Sequence, residues 1–67
     1  MPTKQEVIEW FQKGRDVHVA WKDWIRAAGP NAMVLEPVVE VAGNEEWHEQ
    51  WIVMYNAALK LLEKAPD

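Results

Sequence analysis

The chain has 67 residues, no cysteine and a formal net charge of −4, which limits it to one small domain, 1–67, and excludes disulfides and thiolate zinc sites. An acidic protein repels phosphate backbones, so nucleic acid is not an expected partner. The N-terminus lacks the apolar core of a signal peptide, and no apolar run approaches the roughly 20 residues that span a bilayer. We therefore expect a cytoplasmic protein that does not bind a membrane.

Five of the residues are tryptophan, and all five fall in two segments with helical periodicity: Trp10, Trp21, Trp24, Trp47 and Trp51. One indole can bury about 150–250 Å² of surface. A two-helix chain has a single internal interface, and domains of this size often need self-association for stability. The tryptophan content therefore predicts a homodimer or another protein partner.

The first helix is predicted over residues 3–28. Thr3-Lys4-Gln5-Glu6 matches a capping box, and Gly29-Pro30 matches a helix end with glycine as a left-handed cap. Apolar or small residues recur every three or four positions and form one face: Val7, Trp10, Phe11, Gly14, Val17, Trp21, Trp24, Ile25 and Ala28. At such a position Gly14 costs about 1 kcal/mol relative to alanine, which indicates the close approach of a bulky neighbour, an indole being the obvious candidate.

The connector, residues 29–43, is apolar on both sides of Pro37, which argues against a flexible linker. A strand would place Leu35, Val39 and Val41 on one face, whereas a helix would align Met33, Pro37 and Val41. Proline disfavours one continuous helix but is accepted in a first helical turn. We favour short helical turns that pack over the hairpin, with Pro37 in the first turn of the second.

The second helix is predicted over residues 44–65, with Asn44 as its N-cap. Its main apolar face contains Trp47, Trp51, Met54, Ala58, Leu61, Leu62 and Ala65, and the face is widened by His48, Ile52, Tyr55 and Leu59. An apolar arc this wide usually contacts two neighbours.

The expected fold is therefore all-α: a two-helix antiparallel hairpin with a structured connector, completed by homo-oligomerisation. The expected core joins Val7, Trp10, Phe11, Val17, Trp21 and Ile25 to Trp47, Met54, Ala58, Leu61 and Leu62.

One segment suggests catalysis, Glu45-Glu46-Trp47-His48-Glu49. Its E-x-x-E pattern, Glu46 and Glu49, resembles the magnesium-binding motif of the all-α nucleotide pyrophosphohydrolases. The resemblance covers only these few residues, and the C-terminal Glu63-Lys64-Ala65-Pro66-Asp67 has the wrong spacing for that family's second acidic motif.

His18 and His48 lie at the borders of apolar faces, where a histidine ordinarily forms a hydrogen bond to a carboxylate or a carbonyl. A metal site would need two further ligands to converge on these histidines, and the chain has no cysteine or serine for nucleophilic catalysis. We therefore expect no metal site, no cofactor and no enzyme activity.

A basic stripe of Lys4, Arg15, Lys22 and Arg26 spans about 40° of the first helix. Residues 1–28 carry five basic and four acidic side chains, and residues 29–67 carry two basic and seven acidic ones. We therefore expect the stripe to pair with the acidic half of the same or a neighbouring chain. The alternative is that the stripe and an indole hold a nucleotide-like anion.

The main functional hypothesis is a non-enzymatic protein-binding module, an adaptor or inhibitor, that acts through a tryptophan-rich surface. A phage-type inhibitor of a host or defence complex is one concrete form. Tryptophan is enriched at binding hot spots, and the expected partner surface consists of Trp24, Trp51, Ile52, Tyr55 and Leu59. The alternative is a binding protein for a small anionic ligand, and a weaker alternative is magnesium-dependent nucleotide pyrophosphohydrolase activity at Glu45, Glu46 and Glu49.

Overall fold

The computed structural model describes residues 1–29 and 32–66, and for residues 32–36 it describes the backbone alone. These residues form three helices and no strand: α1 (Lys4–Ala28), α2 (Ala32–Ala42) and α3 (Glu45–Lys64). α1 and α3 pack against each other. They run antiparallel, because Lys4 at the start of α1 donates to the carbonyl of Ala65 just after α3. The predicted all-helical hairpin is confirmed, whereas its assembly into a homodimer stays a prediction.

Both long helices begin at the predicted capping residues. The Thr3 hydroxyl accepts from the backbone N–H of Glu6 at 3.1 Å, and the Glu6 carboxylate accepts from the N–H of Thr3. The Asn44 side chain accepts from the N–H of Trp47 at 2.8 Å. These bonds satisfy N–H groups that have no partner within the helix, so the local sequence is sufficient to start each helix.

The glycine after α1 differs from the prediction, and the glycine after α2 has the left-handed conformation. Gly29 has φ −48° and ψ −38°, so the prediction of a left-handed cap at Gly29 was wrong, and the backbone there continues the helical turn. The left-handed residue is Gly43, with φ +100°. A Cβ atom on Gly43 would lie 2.6 Å from the Trp47 ring. Glycine is therefore favoured there by the backbone angle and by the indole that packs on it. The predicted stop at Pro30 lies outside the described residues.

The connector forms one helix rather than two short helical turns. α2 covers 11 residues with Pro37 inside it, so the prediction that proline divides this segment was wrong. A proline removes one intrahelical hydrogen bond and crowds the preceding turn, but packing of an apolar face can outweigh such a local cost. α2 packs against α1, and Val38 and Val39 are half-buried. The predicted faces that include Met33 and Leu35 concern side chains outside the described part.

The interface between α1 and α3 follows a spacing of three and four residues on each helix. α1 contributes Val7, Phe11, Gly14, His18, Trp21 and Ile25, and α3 contributes His48, Trp51, Tyr55, Ala58 and Leu62. Residues at this spacing form a single stripe along a helix, as in coiled coils. Ile25 and His48 are buried, with 5% and 1% of their surface exposed.

About half of the residues that were predicted to form the core are exposed. Trp10, Val17, Trp47, Met54 and Leu61 are between 45% and 72% exposed. Each apolar face is wider than one helix–helix contact can cover, and the two helices meet at the edges that carry Gly14 and the histidines. The opposite edge of each face is therefore left at the surface, where the indoles of Trp10, Trp24 and Trp47 point outward.

The molecule is a rod that measures 48 × 19 × 16 Å. Its radius of gyration is 14.8 Å, against about 11 Å for a compact domain of this length. Its accessible surface is 5234 Å², against about 4,400 Å² for a typical monomer of this mass. No helix in the described part is long and apolar enough to cross a membrane.

Candidate binding surface and histidine pair

One side of the hairpin carries ion pairs between α1 and α3. Lys22 Nζ lies 2.5 Å from Glu49 Oε2, and Arg26 donates through Nε and Nη2 to Glu45 Oε1 at 2.8 and 2.5 Å. Lys4 Nζ lies 2.6 Å from the carbonyl oxygen of Ala65. The expected pairing of basic and acidic residues therefore occurs within the chain for Lys22 and Arg26.

These contacts bear on both alternative functions. Arg15 lies 3.1 Å from Asp16, so Lys4, Arg15, Lys22 and Arg26 each have an oxygen partner in the chain, and anion binding by the stripe stays a prediction. Two of the three glutamates considered for magnesium are held by basic residues of α1, and Glu46 is exposed. Within residues 1–29 and 32–66, no three histidine or carboxylate side chains converge on one point.

The other side of the hairpin is apolar. Each residue of a helix is turned by about 100° from the previous one, which places Trp10, Val17 and Trp24 about 80° from the interface stripe of α1, away from the ion pairs. The same geometry places Trp47, Met54 and Leu61 on the corresponding edge of α3. In an antiparallel pair these two edges face the same direction. We call the six residues the apolar row.

The register of the hairpin sets the order of the apolar row. Gly14 faces Tyr55, and His18 faces His48. Residues of α1 and α3 therefore alternate along the rod in the order Leu61, Trp10, Met54, Val17, Trp47 and Trp24. The row extends over about 25 Å at 1.5 Å per residue.

An open groove of about 560 Å³ borders the Trp24 end of the row. It is lined by Val17, Ala20, Trp21, Trp24 and Val38, so α2 forms one of its walls. Every one of these side chains is apolar. The groove therefore extends the apolar surface from the α1–α3 hairpin toward α2.

The five residues of the expected partner surface lie on different sides of the hairpin. Trp24 belongs to the apolar row. Trp51 stacks on His18, with ring centroids 5.8 Å apart and ring planes 7° apart, and Tyr55 packs against Gly14. Ile52 and Leu59 are half-buried, and helical geometry places them on the side of the ion pairs. The structure thus does not bring the five into one patch, and their role in binding stays a prediction.

At the centre of the interface two histidines contact each other. The Nδ1 atoms of His18 and His48 are 2.8 Å apart. Each ring is covered by an indole: Trp21 stacks on His48 at 5.7 Å with planes 7° apart, as Trp51 does on His18. His48 is fully buried, and its Nε2 atom has no hydrogen-bond partner among the residues that the structure describes. The pair is therefore enclosed in an aromatic environment.

The contact restricts the charge of the pair. One Nδ1 must donate and the other must accept, so at least one ring is neutral. Burial, and then the neighbouring His48, lower the pKa of His18 below its usual 6.5. Below that pH the unfolded chain binds more protons at His18 than the folded chain, so acidification lowers the free energy of unfolding.

The histidine pair was missed by the sequence reasoning, which treated both residues as ordinary edge histidines. The available signal was spacing: His18 continues the series Gly14, His18, Trp21 and Ile25 at intervals of three and four residues. The bulky neighbour of Gly14 is also a tyrosine, Tyr55, rather than the expected indole.

Comparison of the chain with known protein families, with curated proteins and with solved structures finds no match.

Proposed function

We propose that the chain is a non-enzymatic protein-binding module of the cytoplasm, an adaptor or inhibitor, and that its tryptophan-rich binding surface is the apolar row. The observation that carries this proposal is the exposure of Trp10, Trp24 and Trp47 on one side of the hairpin. Tryptophan supplies large contact area and is the residue type most enriched at binding hot spots. Three half-exposed indoles in one line form a contiguous apolar patch. Such patches mark sites of contact with another molecule.

The shape of the apolar row supports a protein partner rather than a small ligand. Small-molecule sites are concave and bury most of the ligand. The row instead runs for about 25 Å along two parallel ridges, which suits the face of another helix or helix pair. The open groove beside Trp24 offers a place for one projecting side chain of that partner.

The experiment compares two adjacent residues of α3 that are equally exposed and point in different directions. Met54 in the row is 57% exposed, and Val53 on the outer face of α3 is 58% exposed. A photoreactive diazirine amino acid is placed at 54 in one variant and at 53 in the other, each at native expression level. Irradiated cells should yield a defined protein adduct from position 54 and none from position 53. Equal yields from the two positions, or no adduct from position 54, would contradict the proposal.

A further inference from the structure

We infer that the partner of the apolar row is a second copy of this chain, which completes a four-helix bundle around a twofold axis parallel to α1 and α3. The inference rests on the proposed function, because it assigns an occupant to the same surface. It is carried by three observations: the exposed area, the order of the residues in the row, and the charges that flank it.

The exposed apolar area of the row is large enough for the contribution of one subunit to a small dimer interface. The accessible surface of 5234 Å² exceeds the value for a compact monomer of this mass by about 800 Å². A standard protein–protein interface buries about 800 Å² on each partner. The indoles of the row, about half exposed, contribute roughly 350 Å² of apolar area, and Val17, Met54 and Leu61 add roughly 200 Å². Two such surfaces together bury about 1,100 Å², which exceeds the roughly 1,000 Å² that a biological interface requires.

The order of the row is compatible with itself under this symmetry. A twofold axis parallel to the helices places α1 beside α3 of the partner subunit, so that every pair of neighbouring helices is antiparallel, as in up-and-down bundles. In that arrangement Trp24 lies beside Trp47 of the partner subunit, and Trp10 lies between Met54 and Leu61 of the partner subunit. The contacts across the dimer then repeat the alternation already present within one hairpin, with favourable helix-dipole directions throughout.

The flanking residues favour the same arrangement. Glu6 and Lys13 lie on the outer border of the row on α1, and Gln50, Lys64 and Glu46 lie on its outer border on α3. In the dimer Glu46 comes level with the uncharged Trp24 of the partner subunit. When α1 lies beside α3 of the partner subunit, Glu6 comes level with Lys64 of the partner subunit, a pair of opposite charge. Lys13 comes level with Ala57 of the partner subunit, so these border positions bring no like charges together. Flanking pairs of opposite charge set partner orientation in coiled coils.

The main test measures molar mass against protein concentration by sedimentation equilibrium. We expect the wild-type chain to reach the dimer mass at micromolar concentration. Met54→Glu, at the middle of the row, should weaken dimerisation at least a hundredfold, whereas Val53→Glu should leave it unchanged. Far-UV circular dichroism verifies that both variants keep their helices, and because both positions are exposed, neither substitution removes a core contact.

Cysteine cross-linking tests the arrangement. The chain has no cysteine of its own, so only the introduced cysteines can form disulfides. Lys13→Cys and Ala57→Cys, each exposed in one subunit, should form a mixed disulfide when the two variants are combined and oxidised. A mixed disulfide no more abundant than that of Lys13→Cys with Val53→Cys would overturn the arrangement.

The outcomes separate the two proposals. A wild-type chain that stays monomeric at all concentrations, or equal loss of dimer in Val53→Glu and Met54→Glu, overturns the second copy as the occupant. If photoreactive residue 54 then forms an adduct with a different protein, the proposed function stands. If it forms no adduct at all, both proposals fail.

Discussion

The close packing of Gly14 against Tyr55 gives the sharpest stability prediction. A Cβ atom on Gly14 would lie 2.6, 2.7 and 2.8 Å from Cζ, Oη and Cε1 of Tyr55. The ring has little room to move away, because Phe11 packs edge-on against it at 5.8 Å and Trp51 contacts it at 5.9 Å. Gly14→Ala therefore forces two helices apart or a ring out of its favoured position.

Two effects of opposite sign decide the result. Replacing glycine by alanine inside a helix stabilises it by about 1 kcal/mol. Overpacking of a tight interface costs about 1–3 kcal/mol, and three ring atoms at overlapping distance argue for the upper half of that range. We expect Gly14→Ala to lower the free energy of unfolding by about 1–2 kcal/mol, a large fraction for a domain of this size.

The assay is urea unfolding followed by circular dichroism at one fixed protein concentration, for four proteins that form a double-mutant cycle. Tyr55→Leu removes the three ring atoms that Cβ would meet and keeps an apolar side chain. In the Tyr55→Leu background Gly14→Ala should become stabilising, by up to about 1 kcal/mol. If Gly14→Ala stabilises the chain equally in both backgrounds, Tyr55 is not the reason for the glycine, and the interface as described is wrong.

Three further predictions concern other contacts of the hairpin. Because burial, and then the neighbouring His48, lower the pKa of His18 below 6.5, the free energy of unfolding should fall as the pH drops below 6.5. Urea unfolding checks this, and His18→Gln should flatten the profile. Gly43→Ala should cost about 1–3 kcal/mol, since alanine disfavours φ +100° and its Cβ would meet the indole on that residue. A thermal melt equal to that of the wild type would contradict it. Lys22→Gln should cost less than about 1 kcal/mol, and the difference should shrink at 1 M salt, because its ion pair with Glu49 is partly exposed. A larger, salt-independent loss would show that the pair matters more than its exposure implies.

The helices and their starts could be predicted from the sequence because they depend on nearby residues. The Thr3–Glu6 capping box and the Asn44 cap each join groups three residues apart, and amphipathic periodicity shows which segments are helical. The sequence also indicated that Lys22 and Arg26 pair with acidic residues, because the two halves of the chain differ in net charge. The all-helical hairpin followed from these local features.

The tertiary structure decided which edge of each apolar face lies inside. Periodicity defines an arc of residues, but an arc wider than one contact contains two possible interfaces, and nothing local distinguishes them. Only the docking of α3 on α1 places Tyr55 against Gly14 and His18 against His48. This docking leaves about half of the expected core at the surface. It places Trp10 and Trp47, which the sequence alone assigned to the interior, in one exposed line with Trp24.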